Sequence, residues 1–163
     1  ELVTPWHGRH VGAGHKPMAE WNKKRGERVG DGWRMPAMTG RRRSRHVVGD
    51  VNKWKSFVAA RLSVPVGQRG ALTLYGDDGH QHRMLADHCI AERPVRVESK
   101  GGGACDEWRL QPNRDNHLWD CLVGCHVAAS IQGARLPTAG TTRTRGESRA
   151  SIRQLMRQNR GTR

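Results

Sequence analysis

The strongest structural signal in this chain is the apolar spacing of residues 117–133, which predicts an α-helix with one buried face. Asp115 or Asn116 can cap its start, and Gly133 and Pro137 would end it. The residues expected on its buried face are Leu118, Leu122, Cys125 and Ala129. A helix of this kind must pack on other elements, so it constrains the rest of the fold.

Upstream of this helix, the sequence alternates between short strand patterns and helical ones. We expect residues 1–46 to be mostly loop, with at most a short helix at 17–25, because aliphatic residues are scarce there. The further elements predicted are a strand at 45–48, a helix at 51–62, a strand at 71–76, a helix at 80–92 and a hairpin of strands at 94–99 and 106–111. This order predicts an α/β fold in which helices flank a mixed sheet.

The helix at 51–62 has an N-cap candidate in Asp50 and a clear division into two faces. The face expected to be buried contains Trp54, Phe57, Val58, Arg61 and Leu62. Lys53 and Lys55 are therefore expected on the solvent side.

Charge is the most unusual bulk property of the chain, which has 29 Lys and Arg against 15 Asp and Glu and a formal net charge of +14. Clustered cations favour nucleic acid as a partner, because they displace counterions from phosphates. An arginine-rich composition without functional meaning is the alternative. No apolar run reaches the roughly 20 residues that span a bilayer, so no membrane partner is expected.

The four cysteines raise metal and redox chemistry, but their spacing favours neither. Cys121, Cys125 and His126 could ligate zinc, yet tetrahedral zinc takes four ligands, and Cys89 and Cys105 lack a paired spacing. A nucleophilic cysteine needs an exposed, electropositive setting, whereas the helix pattern predicts burial of both thiols. We therefore expect reduced thiols that pack in the interior.

Asp120 is the one acid within the apolar part of the helix at 117–133. A carboxylate in the first turn of a helix is stabilised by the helix dipole. An acid beside an apolar stripe could also ligate Mg²⁺ or Mn²⁺, which take oxygen donors. The chain offers Asp50, Glu92 and Glu107 as partners, and spacing alone selects neither a partner nor one of the two roles.

Three stretches resemble the C-terminal nuclease domain of lambda-like phage terminase large subunits. They are D-V-N-K-W-K-S-F-V at 50–58, H-R-M-L-A-D-H-C-I-A-E at 82–92 and D-N-H-L-W-D-C-L-V-G-C at 115–125, and the resemblance extends over roughly residues 5–134. It implies an RNase H-like fold and a two-metal endonuclease that cuts concatemeric double-stranded DNA during genome packaging.

On this resemblance, Asp120 matches the last of three acids of the nuclease centre, and would be a catalytic residue and a ligand for Mg²⁺ or Mn²⁺. The other two acids and the ATPase domain are expected upstream of residue 1, and no phosphate loop for ATP occurs in this chain. We therefore expect an incomplete nuclease domain over 1–136, followed by a basic, flexible and disordered tail at 137–163. Alone, it would neither hydrolyse ATP nor cut DNA efficiently.

The resemblance also implies partners: double-stranded DNA, and, for the intact protein, a small terminase subunit and the portal in the host cytoplasm. The cations expected to contact the DNA backbone are Arg41, Arg42, Arg43, Lys53 and Lys55. His117 could orient or screen Asp120, although an ordinary first-turn position is favoured. The rival hypothesis is a basic nucleic-acid-binding or docking module without catalytic activity, such as a prophage remnant.

Overall fold

The computed structural model of the protein describes residues 3–38 and 44–134. In these ranges the chain forms six strands, three α-helices and two single-turn 3₁₀ helices at Met18–Glu20 and Gly79–His82. The elements are β1 (Trp6–Arg9), β2 (Arg28–Gly30), β3 (Trp33–Met35), β4 (Val47–Asp50), α1 (Val51–Leu62), α2 (Arg83–Cys89), β5 (Glu92–Glu98), β6 (Ala104–Leu110) and α3 (His117–Ile131). The predicted tail at 137–163 lies outside the described residues.

Four strands form a mixed sheet in the order β1-β4-β3-β2. β1 and β4 are parallel, with Trp6 opposite Val47, whereas β3 is antiparallel to both β4 and β2. β5 and β6 form a separate antiparallel hairpin, with Glu92 opposite Leu110. The predictions of a mixed α/β architecture and of a hairpin between 94 and 111 are confirmed.

The two faces of the mixed sheet have different surroundings, because successive residues of a strand point to opposite sides. Trp33, Met35 and Val47 point to the face that packs on the helices, which we term the helix face. Arg34 and Val48 are paired across β3 and β4 and point to the opposite face, which we term the far face.

The hydrophobic core lies between the helix face and helices α1 and α3. Its buried members are Trp33, Met35, Val47, Trp54, Val58, Trp119, Val123 and Val127. Trp6 and Trp108 pack against this cluster, and the indole of Trp33 donates a 3.0 Å hydrogen bond to Ser130 Oγ on α3. Burial of a large apolar side chain contributes about 1.5–3 kcal/mol, so this cluster accounts for the position of α3 on the sheet.

The described part of residues 1–46 is mostly loop, as predicted, but three short strands that were not expected, β1, β2 and β3, also lie there. The expected helix at 17–25 is only the 3₁₀ turn Met18–Glu20. β2 and β3 are three residues each and are joined through Gly32, whose φ of 70° suits a tight turn. Strands this short cannot show the alternation of longer strands, so their signal was missed.

Two further boundaries are corrected between α1 and β5. The strand expected at 71–76 is irregular backbone, in which Leu72 donates its N–H to Arg61 O at 3.0 Å while Tyr75 is exposed. The helix expected at 80–92 consists of a 3₁₀ turn and α2, and it stops before Ala91, which is fully buried. β4 begins two residues later than the strand expected at 45–48.

Helix α1 matches the prediction at both ends, but its polar face does not. Asp50 caps it by accepting a 3.1 Å hydrogen bond from Lys53 N. Lys53 is exposed, whereas Lys55 is buried, so the expectation that both lysines face solvent is wrong for Lys55. The reason is a pair of carboxylates that compensates its charge in the interior.

Helix α3 starts where it was predicted but buries a different face. Trp119, Val123 and Val127 are buried, while the expected stripe of Leu118, Leu122, Cys125 and Ala129 is half-buried or exposed. Both faces are apolar, and the large indole of Trp119 packs against Trp108 with ring centroids 5.6 Å apart. The larger buried area of Trp119 sets the rotation of the helix.

Candidate active site around Asp120

Asp120 lies in the first turn of α3, where its side chain is 43% exposed. The helix start is fixed from outside, because Leu118 N donates a 3.2 Å hydrogen bond to His88 Nδ1 of α2. His88 thus satisfies one of the backbone donors that a helix leaves open at its first turn. Asp120 therefore sits on a rigid element rather than on a loop.

The carboxylate of Asp120 is paired with a buried lysine. Lys55 Nζ lies 2.9 Å from Asp120 Oδ1, and 2.6 and 2.8 Å from the two oxygens of Glu92. The side chains of Lys55 and Glu92 are 8% and 3% exposed. One ammonium group therefore holds two carboxylates, one buried and one reaching solvent.

Asn116 forms a second bridge between the same two carboxylates. Its Nδ2 donates to Glu92 Oε1 and, at 3.1 Å, to Asp120 Oδ2. Each oxygen of Asp120 thus accepts one hydrogen bond from the protein, which fixes the plane of its carboxylate. The cluster of Lys55, Glu92, Asn116 and Asp120, here termed the carboxylate cluster, carries two negative charges and one positive charge.

A cavity of about 650 Å³ opens beside Asp120, between α3 and the helix face. Its apolar lining includes Trp6, Met35 and Val47 from three strands. Arg28 and Arg45 line the same cavity and bring positive charge to the space next to Asp120. Neither arginine was predicted as a site residue, although Arg45 ends the basic run G-R-R-R-S-R at 40–45.

The expectation of buried cysteines is wrong for α3, since Cys121 and Cys125 are exposed and line this cavity. The ring of His126 is engaged by its own helix, with Nδ1 2.9 Å from Leu122 O. Burial raises the pKa of the half-buried thiols of Cys89 and Cys105, which keeps them protonated. His117 is exposed, and its Nε2 lies 3.8 Å from Asp115 Oδ1, so this histidine pairs with Asp115 rather than with Asp120.

The cations predicted to contact DNA fall into three groups. Arg41, Arg42 and Arg43 lie outside the described residues. Lys53 is partly exposed and pairs with Asp31. Lys55 is buried in the carboxylate cluster and lacks the surface position that a phosphate contact requires, so the expected exposure of this lysine is corrected.

Around Asp120, the described residues offer a divalent ion only one carboxylate ligand, which is Asp120 itself. Both oxygens of Glu92 are bound to Lys55, so Glu92 offers no free carboxylate to an ion at Asp120. Across residues 3–38 and 44–134, no group of three or more His, Cys, Asp or Glu side chains could hold a metal. A complete metal site would need ligands from outside this set.

Comparison with known families gives the class of protein. Residues 13–142 match the family described as the endonuclease domain of the terminase large subunit gpA. This match spans most of the chain and includes the carboxylate cluster. The chain therefore belongs to the terminase large subunit endonuclease family, and the family resemblance found in the sequence is confirmed.

No curated protein and no solved structure matches this chain. Among the described helices, none is long and apolar enough to cross a membrane.

Proposed function

We propose that this chain is the nuclease part of a phage terminase large subunit, which in the intact protein cuts concatemeric double-stranded DNA during genome packaging. Family membership supports a phosphodiester hydrolase in the intact protein. We further propose an RNase H-like organisation and dependence on Mg²⁺ or Mn²⁺. The observation that carries the proposal is Asp120, a half-exposed carboxylate held by Lys55 and Asn116 at the edge of a cavity.

Asp120 would serve as one carboxylate ligand of the nuclease centre. Bound divalent ions supply positive charge to the scissile phosphate and lower the pKa of the attacking water. The part played by this chain is orientation, because Lys55 and Asn116 hold the two oxygens of Asp120 in a fixed plane. Arg28 and Arg45 would attract the phosphate backbone towards the same cavity.

We also propose that carboxylates from elsewhere in the intact protein complete this centre. Glu92 would act through Lys55 by holding its ammonium group beside Asp120. The small terminase subunit and the portal are the proposed protein partners, and the host cytoplasm is the proposed location. The isolated chain is expected to lack efficient cleavage and ATPase activity.

The test is plasmid cleavage by the intact terminase in Mn²⁺, with Asp120→Asn compared with Asp115→Asn. Asp115 is an exposed acid just before α3 that pairs with His117, so its replacement controls for charge. Loss of one catalytic carboxylate is expected to lower the cleavage rate about 10²–10⁴-fold in Asp120→Asn, with Asp115→Asn unchanged. Retained cleavage in Asp120→Asn would remove Asp120 from the centre.

A second candidate function is a nucleic-acid-binding module without catalysis. It is favoured by the net charge of +14 and by the presence of only one carboxylate, Asp120, in the lining of the cavity. This function predicts DNA binding that weakens steeply with salt and does not depend on divalent ions. Binding that requires Mn²⁺, or cleavage that is abolished by Asp120→Asn, would exclude it.

A further inference from the structure

A second cavity, of about 590 Å³, lies on the far face of the sheet. Its lining comes from β1, β3 and β4 and from the segment 18–27 that covers this face. The charged residues in its lining are Arg9, Lys24, Arg25, Arg34 and Glu27. Four cations therefore surround this cavity against one acid, whereas the carboxylate cluster on the helix face has an excess of negative charge.

Arg34 is the structural anchor of this cavity. Its guanidinium group donates hydrogen bonds of 3.0 Å to Asn22 O and 3.1 Å to Glu27 Oε2, and a further bond to Trp21 O. The side chains of Arg34 and Glu27 are each 7% exposed, so their charges compensate each other in the interior. The segment 18–27 is thereby fixed against β3, and the cavity has a defined wall.

The remaining cations of the cavity are not compensated. Arg9, Lys24 and Arg25 are exposed, and no carboxylate of residues 3–38 and 44–134 lies within ion-pair distance of any of them. Arg9 is oriented, since its guanidinium carbon lies 5.6 Å from the centroid of the Trp21 ring. Three positive charges around one cavity repel each other, and a bound anion would relieve this repulsion.

The chemistry of these side chains selects a phosphate group among anions. Arginine presents a planar fork of donors that matches phosphate oxygens, and lysine adds a compact positive charge. A metal cation is disfavoured by the charge of the lining. The apolar side chains of the lining are Trp21, Pro36, Ala37 and Val48. The ring of Trp21 is already covered by the guanidinium groups of Arg9 and Arg34.

We propose that the far-face cavity binds a backbone phosphate of nucleic acid through Arg9, Lys24 and Arg25. These residues are distinct from the cations proposed for the nuclease centre, and they lie on the opposite side of the sheet from Asp120. The site would be a sequence-independent anchor for DNA that holds the strand while another part of the molecule acts on it. It requires no divalent ion and none of the residues of the carboxylate cluster.

The test measures binding of a fluorescent duplex to the 163-residue chain in EDTA over a range of salt concentrations. The triple variant Arg9→Gln, Lys24→Gln, Arg25→Gln is compared with the control Arg93→Gln, Lys100→Gln, Arg114→Gln, which removes three exposed cations elsewhere. We expect the Kd of the first to rise about 10–100-fold, and its salt slope to fall by about 2–3, with a smaller change in the control. An equal rise of the Kd in both triple variants, or no rise in either, would overturn the proposed site.

Two further arms decide the ligand and guard against misfolding. Arg9→Lys retains the charge but loses the donor fork, and it is expected to keep the salt slope while binding more weakly. The NMR signal of the Trp21 indole is followed during titration with the duplex and, separately, with inorganic phosphate. A shift at micromolar DNA and only at millimolar phosphate supports a backbone anchor, whereas saturation by phosphate at micromolar concentration would assign the cavity to a free phosphate compound.

The outcome is separable from that of the nuclease proposal. Because all binding is measured in EDTA, failure of metal-dependent cleavage does not affect this result. If Asp120→Asn abolishes cleavage while the far-face triple variant binds DNA normally, the nuclease centre stands and the anchor is rejected. If the triple variant loses binding and Asp120→Asn does not change cleavage, the anchor stands and the role of Asp120 in the nuclease centre is rejected.

Discussion

The helix side and the far side of the sheet each enclose one buried cation, but they compensate its charge differently. On the helix side, Lys55 is enclosed by Glu92 and Asp120, so its charge is satisfied inside the molecule. On the far side, the charge of Arg34 is compensated by one carboxylate, Glu27, while Arg9, Lys24 and Arg25 in the second cavity remain open to solvent. The net charge of +14 is therefore not one uniform property. Paired cations contribute to stability and geometry, and open cations are available to a partner.

The largest expected effect in this comparison comes from Lys55→Met. Removal of the ammonium group leaves Glu92 buried with only Asn116 as a donor. Breaking a buried ion pair on one side costs about 3–5 kcal/mol, because the remaining charge is desolvated and uncompensated. Urea unfolding followed by circular dichroism would measure this loss of stability.

The matched control for Lys55→Met is Lys53→Met, on the same helix. Lys53 is exposed and pairs with Asp31 at the surface, so its replacement is expected to cost less than about 1 kcal/mol. Adding Glu92→Gln to Lys55→Met should recover part of the lost stability, since it removes the unpaired buried charge. Equal destabilisation by both lysine variants would contradict the burial of Lys55.

An intermediate effect is expected from Arg34→Met on the far side. This change removes hydrogen bonds to three backbone carbonyls and leaves Glu27 without its ion-pair partner, so we expect a loss of about 2–4 kcal/mol. The loss should be local, because Arg34 ties the segment 18–27 to β3. Limited trypsin digestion should show faster cleavage at Lys23–Arg25, whereas Arg28→Met, on an exposed cation of β2, should leave the cleavage rate unchanged.

The smallest effect concerns Asp50, which caps α1 at the junction of the two faces. Burial raises the pKa of this carboxyl above its ordinary value of 3.8, although the hydrogen bond from Lys53 N acts in the opposite direction. A raised pKa means that the folded state favours the protonated form. Its favourable contribution is therefore complete below pH 3.8 and is lost as the pH rises through the folded-state pKa.

Asp50→Asn tests this sign, because asparagine caps helices about as well as aspartate and does not ionise. At neutral pH the variant should be as stable as the parent chain or slightly more stable. In parallel thermal melts, the melting temperature of the parent chain should rise relative to that of the variant as the pH falls towards 4. If the parent chain instead becomes less stable relative to Asp50→Asn on acidification, the pKa of Asp50 is lowered rather than raised.

Sequence patterns predicted the long local elements of the fold. α1 with its Asp50 cap and the hairpin of β5 and β6 follow from spacing and capping within one segment. The start of α3 also matches the prediction, although Asn116 makes no side-chain cap hydrogen bond there. The strands β2 and β3 were missed, since three residues are too few to show a period of two. Their best signal is the pair Asp31–Gly32, which is typical of a tight turn between strands.

The site was predicted only in part, for a physical reason. Asp120 was selected as the one acid in an apolar helix, and its role as a catalytic ligand stays a prediction. Lys55 was assigned to solvent, because a helical period cannot show that a carboxylate 37 positions away will accept its charge. Glu92 joins the carboxylate cluster only through the packing of α1, β5 and α3, which is a tertiary property, whereas Asn116 lies only four positions before Asp120.

The exposed thiols of Cys121 and Cys125 give the molecule a built-in chemical reporter. Both line the cavity beside Asp120, whereas no cysteine lines the cavity of the far face. The other two thiols have raised pKa values and should react slowly with alkylating reagents. Slower alkylation of Cys121 and Cys125 would therefore show that a ligand occupies the cavity next to Asp120. DNA that binds only on the far face would leave their alkylation rate unchanged.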